Sequence, residues 1–445
     1  MSLRSAVAAR MPDGLRDLAA LVAVPSVHDP AVQSLDDCTR VAEAVRSRFA
    51  DLGLEARLVT TADGSQAVIA THEAPAGAPT VLLYAHHDVQ PAGDPDAWTS
   101  DPWTLTERDG RLYGRGAADC KGGIVTHLVA LRALLDEHGA LPVGLVVVVE
   151  GSEEQGTTGL EDHVATHAAD FAHVDAAVVM DAGNAAVGVP ALVTSLRGTA
   201  FVEVRVRALA GNVHSGMFGG AAPDALATLV SLLATLRDAR GDTTVDGLDT
   251  SAVWDGLPYD AARFADDAGL LPGAVPLGSA DPASQVWARP ALTIVGIDAP
   301  GVAGATPSVQ AAAGAVLNLR VPPGVDPVTA GELLVAHLER RAPAGVEVSA
   351  HVTGTGRGFR GVPGPHDAAF RAALAESYGT AVGSLGGGGS IPLCAVLEDA
   401  IPGVEILLAG VSEPAANVHA PDESVDPSEI EHMALAEALY LASLA

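Results

Sequence analysis

Lysine is almost missing from this chain. Lys121 is the only one, and the 25 cationic residues face 55 Asp and Glu, for a formal net charge of -30. A bias in codon usage accounts for the arginine preference as well as any chemistry would. The shortage of positive charge excludes polyanionic partners: nucleic acid and anionic membrane surfaces both recruit cations. It does not imply a basic substrate, because a solvated acidic surface is the commoner cause. Cysteine is scarce too. Cys38, Cys120 and Cys394 are far apart and odd in number, which argues against a disulfide framework or a paired-cysteine metal site and fits a reducing cytoplasm. No stretch is long and apolar enough to span a bilayer. Residues 1–10 lack the apolar core of a signal peptide, and neither an internal repeat nor a disordered tail is apparent.

Several catalytic signatures are missing as well. His163 and His167 stand one helical turn apart, but Val164 follows His163, so the HExxH pattern is absent and the pair reads as an exposed helix face. Ser390 follows four glycines, but Pro392 occupies the place of the last glycine in a nucleophile elbow. Lys121 is followed by Gly122, which breaks the phosphate-loop pattern.

What is present is apolar punctuation in the α/β manner. The chain has 445 residues, 48% of them hydrophobic, enough for two domains with substantial cores. Buried strands are expected at 81–85, 145–149, 176–180 and 406–409, with a helix over 124–137. That alternation predicts a mostly parallel sheet with helices on both faces. The middle of the chain differs. Val202, Val204 and Val206 alternate with Glu203, Arg205 and Arg207, a strand with one wet face. A helix after Pro223, strands near 292–295 and 315–321, a helix after Pro327 and a strand near 346–352 complete a β-α-β-β-α-β order. This predicts an inserted α+β, ferredoxin-like domain, interrupted by an Asp-, Gly- and Pro-rich stretch at about 241–290. The expected division is 1–193 and 356–445 for the α/β domain and 194–355 for the insert.

Polar residues gather where the buried strands end, the place where open α/β sheets bind ligands. His86-His87-Asp88 follows the first strand, Glu153-Glu154 the second, and Asp181 ends the third. Each alone reads equally as a turn or cap residue; three metal-type strand ends together do not. In extended chain, residues two apart share a face. His86 and Asp88 are therefore expected to point one way and His87 the other, with Asp88 accepting a proton from the second ring nitrogen of His86. His87 is left as structural or solvent-facing. Glycines on both sides of Asp119 allow an unusual backbone there, although a plain Gly-rich turn reads as well. Adjacent Glu153 and Glu154 repel unless a cation intervenes or one is protonated; a solvated acidic loop is the alternative. His419, in Asn417-Val418-His419, could complete a metal site. His214, in Asn212-Val213-His214-Ser215-Gly216, and Arg320 are further candidates that pass for surface residues out of context.

Assembled, these motifs resemble the M20 family of metallopeptidases, and within it the carnosinase-like dipeptidases. The match runs along nearly the whole chain. It is strongest from Tyr84-Ala85-His86-His87-Asp88-Val89-Gln90-Pro91 through Trp98 and Gly110-Arg111-Leu112-Tyr113-Gly114-Arg115-Gly116 to Asp119 and Lys121-Gly122. It continues in Glu150-Gly151-Ser152-Glu153-Glu154, Asp181, His214-Ser215-Gly216, Arg320, Gly389-Ser390-Ile391-Pro392 and Asn417-Val418-His419.

The resemblance implies a cytoplasmic enzyme that cleaves the amide bond of dipeptides or similar small peptides with two divalent metal ions per subunit. Asp119 would bridge the ions. His86 and Asp181 would hold one, and Glu154 and His419 the other. Glu153 would be the general base and Asp88 the support of His86, with a cis peptide between Asp119 and Cys120. His214 would donate to the oxyanion from the partner subunit of a homodimer built through the inserted lid. Arg320, Gly389 and Ser390 would bind substrate. The mixed His and carboxylate ligands suit zinc best, with manganese or cobalt also accommodated. One departure stands out: Thr306-Pro307-Ser308-Val309-Gln310-Ala311 occupies the stretch where the family often has an Asn that contacts substrate. An N-acyl amino acid deacylase of the same fold is the alternative enzyme. A metal-free scaffold is the alternative class, and it predicts lost ligands where none is lost.

Overall fold

A computed structural model describes residues 2–156, 158–389 and 391–445. The chain divides into two units: Met1–Thr194, Gly361–Leu385 and Leu393–Ala445 form the first, and Ser195–Arg360 with Gly386–Pro392 the second.

In the first unit a six-stranded sheet runs in the order Glu55–Thr60, Gln66–His72, Gly144–Glu150, Thr80–His86, Ala176–Val179, Glu405–Leu408. The last four strands are mutually parallel. Their apolar runs are the reason: every residue of Thr80–His86 and Gly144–Glu150 is buried, so both faces must be covered. Val81, Leu83, Ala85, Leu145, Val147 and Val149 share one core with residues of the helices Leu3–Val22, Lys121–His138 and Pro427–Ser443. The alternate residues Leu82, Tyr84, Val146 and Val148 are buried as well. Helix Lys121–His138 stops at Gly139, which takes the left-handed conformation at φ 75° that a side chain would resist. The strands Glu55–Thr60 and Gln66–His72, absent from the expected set, are antiparallel additions at one edge. The outermost of the two is half-exposed throughout, and so lacks the continuous apolar run that marks the inner strands.

The second unit carries a four-stranded antiparallel sheet in the order Ala291–Asp298, Ala312–Val321, Gly198–Arg207, Glu347–Gly356. That is the ferredoxin-like arrangement, with the first and third strands in the centre. Val202, Val204 and Val206 pack with Leu229 and Leu233 of helix Ala225–Ala234 and Leu334 and Leu338 of helix Pro327–Arg340. Asp224 and Asp326 cap these helices by accepting from the first free N–H groups. The other face of Gly198–Arg207 presents Phe201, Arg205 and Arg207 to solvent. The stretch at 241–290 adds a short helix, Ala261–Asp267, and a π-helical turn, Ser284–Ala288. Among the described residues no helix is long and apolar enough to cross a membrane. Cys38, Cys120 and Cys394 are free and buried.

Candidate metal centre

The parallel strands deliver their polar ends to one edge of the sheet. His86 is the last residue of its strand and fully buried. Its Nδ1–H donates to the main-chain carbonyl of Asp88 at 3.0 Å. That leaves Nε2 facing Asp119 Oδ1 at 2.9 Å and Asp181 Oδ1 at 3.2 Å. The support of His86 thus differs from the expected one. The Asp88 carboxylate stands 3.5 Å from Nδ1 and instead accepts the N–H groups of Glu153 at 3.1 Å and Glu154 at 3.0 Å. The strand ends at His86, so the alternation of faces does not extend to residue 88. Asp88 therefore pins the Glu153–Glu154 turn. His87 points away, fully buried, with Nε2 2.8 Å from the Gln66 carbonyl. Burial pushes its pKa down to about 4, so it is a neutral structural residue and not a solvent-facing one.

A second group meets the first at Asp119. His419 Nε2 lies 3.1 Å from Asp119 Oδ2 and 3.0 Å from Glu154 Oε2. The two oxygens of one carboxylate thus face two different histidines. Gln90 Nε2 donates to Glu154 Oε2 at 3.0 Å and to its carbonyl at 2.9 Å, and so orients that side chain. His419 sits on a loop where Asn417, His419 and Asp422 all take positive φ, and its side chain is 52% exposed. The peptide bond between Asp119 and Cys120 is cis. The Cys120 thiol is turned away to the Met180 carbonyl at 2.8 Å, and burial raises its pKa well above the usual value.

The electrostatics fit a pair of cations. Asp88, Asp119, Glu153, Glu154 and Asp181 bring five carboxylates to two imidazoles. Two sets of donor atoms, one from His86, Asp119, Cys120 and Asp181 and one from Asp119, Glu154 and His419, each lie within 4.8 Å of one another. Burial raises Glu153 to about 9, helped by the charge of Asp181, and burial raises Asp181 to about 6. Burial would also raise Asp119, but hydrogen bonds from His419 and His86 hold it below the usual carboxylate range. His419 is pushed up to about 10 by its hydrogen bonds to Asp119 and Glu154. Such mutual shifts are the response of closely packed carboxylates and imidazoles that share charge and hydrogen bonds.

Some supporting residues escape a reading of the sequence. Lys121 is fully buried and its Nζ donates to the carbonyls of Leu21 and Val24, both at 2.9 Å. Glu423 and Arg115 form a buried pair at 2.7 Å. Nothing in their spacing signals this, because a lone Lys, Arg or Glu in a loop normally reads as surface. Neither His163 nor His167 joins the centre; they stack on each other at 4.2 Å.

The remaining candidates belong to the second unit. His214 is exposed and ends the two-residue strand Val213–His214. That strand pairs with Ser308–Val309, placing His214 opposite Ser308. The departing stretch at 306–311 is therefore the immediate neighbour of His214, tied there by the Ala311 N–H to Asn212 Oδ1 at 2.8 Å. Arg320 lies on Ala312–Val321 opposite Thr199 and Ala291. Gly389 is exposed, and Ser390 lies outside the described residues.

Residues 82–443 match Peptidase family M20/M25/M40. The chain belongs to this family. A cysteinylglycine-S-conjugate dipeptidase of Corynebacterium striatum is 43% identical over 434 residues, 96% of this chain and 94% of its own. Among solved structures, the di-peptidase Dug1p of Saccharomyces cerevisiae aligns with a TM-score of 0.80 at 22% identity, covering 99% of this chain and 98% of that one. Human carnosine dipeptidase 1 aligns at 0.79 and 24% identity, with the same coverage. These two likenesses concern the fold. This M20 peptidase is a dipeptide-hydrolysing metallopeptidase, and the two side-chain groups that share Asp119 could hold a pair of ions.

Proposed function

We propose that this chain, a dipeptide-hydrolysing metallopeptidase, holds one ion with His86 and Asp181 and the other with Glu154 and His419. Asp119 would be shared between the two positions, and Glu153 would be the general base. The observation that carries this reading is the division of the Asp119 carboxylate between His86 and His419. When bound, the ions lower the pKa of water and polarise the scissile carbonyl. Zinc is the proposed metal, because imidazole and carboxylate donors suit it best; manganese and cobalt are the alternatives. The Glu153 carboxylate accepts the proton of the attacking water and passes it to the nitrogen of the leaving amine. Asp88 contributes through the main chain, holding the turn that aims Glu153 and Glu154. Arg320, Gly389 and Ser390 receive the substrate's carboxylate, where a guanidinium offers two parallel donors. His214 donates to the oxyanion from the partner subunit.

The substrate is a dipeptide with free termini. The 43% identical relative is named for S-conjugates of cysteinylglycine, so these come first in the substrate panel. Homodimer formation through the second unit is supported by its edge strand Ala291–Asp298, whose Ile294, Val295 and Ile297 are about half exposed. A cytoplasmic setting is supported by three free, buried cysteines. The net charge of -30 supports the absence of a nucleic-acid or membrane partner.

The test is a panel of dipeptides, S-substituted cysteinylglycines and acetylated amino acids, incubated with the metal-loaded protein and read by mass spectrometry. Cleavage of acetylated amino acids alone would assign a deacylase instead. Glu153→Gln should keep both ions and lose turnover by about 100-fold or more, since the amide is nearly isosteric but cannot take up the proton. Activity within a few-fold of the parent would remove Glu153 from the role of base.

A further inference from the structure

The side chain of Glu423 is fully buried and is used by no step of the proposed chemistry. Its Oε1 accepts the N–H groups of Ala118 and Asp119, both at 3.1 Å. Its Oε2 accepts Arg115 Nη1 at 2.7 Å and the Gly116 N–H at 3.1 Å. Its own carbonyl accepts the Gly114 N–H at 3.0 Å. Arg115, also buried, sends Nη2 to the carbonyls of Ala420 and Pro91, both at 3.3 Å. One carboxylate therefore gathers four donors from residues 115–119, the segment that ends in Asp119. It lies four residues after His419, and the guanidinium it neutralises holds the residue after His419. Gly116 is needed for this wrapping: it takes φ +82°, and a Cβ there would stand 2.7 Å from Val89 Cγ1.

We propose that Glu423, with Arg115, is a positioning residue that sets Asp119 against His419 and thereby builds the second metal position. The proposal rests on the ligand assignment given above. His86 and Asp181 sit at ends of parallel sheet strands that already place them. His419 is half-exposed on an irregular loop, and Glu423 and Arg115 tie that loop to the backbone of Asp119. Glu423→Gln turns one acceptor oxygen into an NH2 group. Whichever way the amide turns, two donors then face a donor, and Arg115 loses its countercharge.

The experiment uses the full-length chain stripped of metal and titrated with cobalt(II). Bound ion is counted by mass spectrometry and its ligand geometry read from visible absorption. Far-UV circular dichroism confirms folding. The parent should take up two ions. Glu423→Gln should keep the first and bind the second about 10–100-fold more weakly, the range typical for loss of an outer partner. Glu423→Asp keeps the charge on a shorter arm and should fall between, and it carries the test if the Gln variant does not fold. Glu429→Gln is the control. This buried carboxylate accepts the Tyr378 hydroxyl at 3.0 Å, the Gly188 N–H at 2.6 Å and the Asn184 amide, partners outside residues 114–119 and 417–423, so its variant should lose stability and keep both ions. If both Glu423 variants bind two ions within about threefold of the parent affinities, or if Glu429→Gln weakens the second ion equally, the positioning role is overturned. A parent that takes up fewer than two ions overturns the ligand assignment itself.

Discussion

Adjacent histidines at 86 and 87 experience opposite surroundings. One ring faces Asp119 and Asp181, while the other is sealed against the Gln66 carbonyl with Nδ1 unpartnered. Metal content should separate them. His86→Ala should lose the first ion by more than the about tenfold that even an outer partner costs. His87→Ala should bind both ions normally while losing roughly 1–3 kcal/mol of stability from its emptied, hydrogen-bonded pocket. Equal metal loss in the two variants would contradict the orientation found at the end of this strand. The contrast was legible in sequence because side chains alternate along extended chain. The partner of His86 was only half legible. Asp88 is the right residue, but its carbonyl makes the 3.0 Å contact while its carboxylate caps the next loop. Alternation cannot foresee where a strand stops.

Helices behind the sheet hold these strand ends in place. His127, on Lys121–His138, donates through Nδ1 to Glu437 Oε2 at 2.7 Å, and its Nε2 meets the Tyr84 carbonyl at 3.1 Å. Both ring nitrogens face acceptors, an arrangement that favours the protonated imidazole, two residues upstream of His86 in the strand it supports. Burial opposes that charge, but Glu437 outweighs it and raises the His127 pKa above 6.5. A raised folded-state pKa contributes stability that is fully present below about 6.5 and fades as pH rises through the folded value. Glu437→Gln should therefore cost about 3 kcal/mol at pH 6, with the gap from the parent narrowing as pH rises. Urea midpoints measured from pH 6 to 9 decide this, and a constant or widening gap would contradict it. Of the two helices, Lys121–His138 is expected from the sequence over 124–137, whereas Pro427–Ser443 is not. Their buried pair is not expected either, because His127 and Glu437 are 310 residues apart and only packing brings them together.

At the scale of the whole molecule the open element is assembly. Glu153 lies in the first unit and His214 in the second. If His214 serves a partner's centre, His214→Ala should keep both ions and fold while activity falls by about 100–1,000-fold, the usual cost of one oxyanion donor. Mixing inactive His214→Ala with inactive Glu153→Gln should then restore part of the activity as subunits exchange, since a hybrid dimer contains one site with both residues intact. Exchange demonstrated by labelled subunits without any return of activity would place His214 in the service of its own chain.

The full set of proposed ligands, with Asp119 and His419, is what the family resemblance implies, while the parallel character of the inner strands, the β-α-β-β-α-β insert and the metal-type residues at three strand ends follow from the sequence alone. Each depends on local chemistry: continuous apolar runs that need two covered faces, alternation that needs one, and ligand-type side chains at strand ends. Tertiary structure alone decided the rest. It brought Glu423 and Arg115 around the Asp119 backbone, directed Gln90 to Glu154, buried Lys121 and placed the 306–311 stretch beside His214. These contacts join charged or polar residues far apart in the chain, whose types usually mark a solvated surface. Only the closure of loops over a packed core removes them from water and obliges them to find one another.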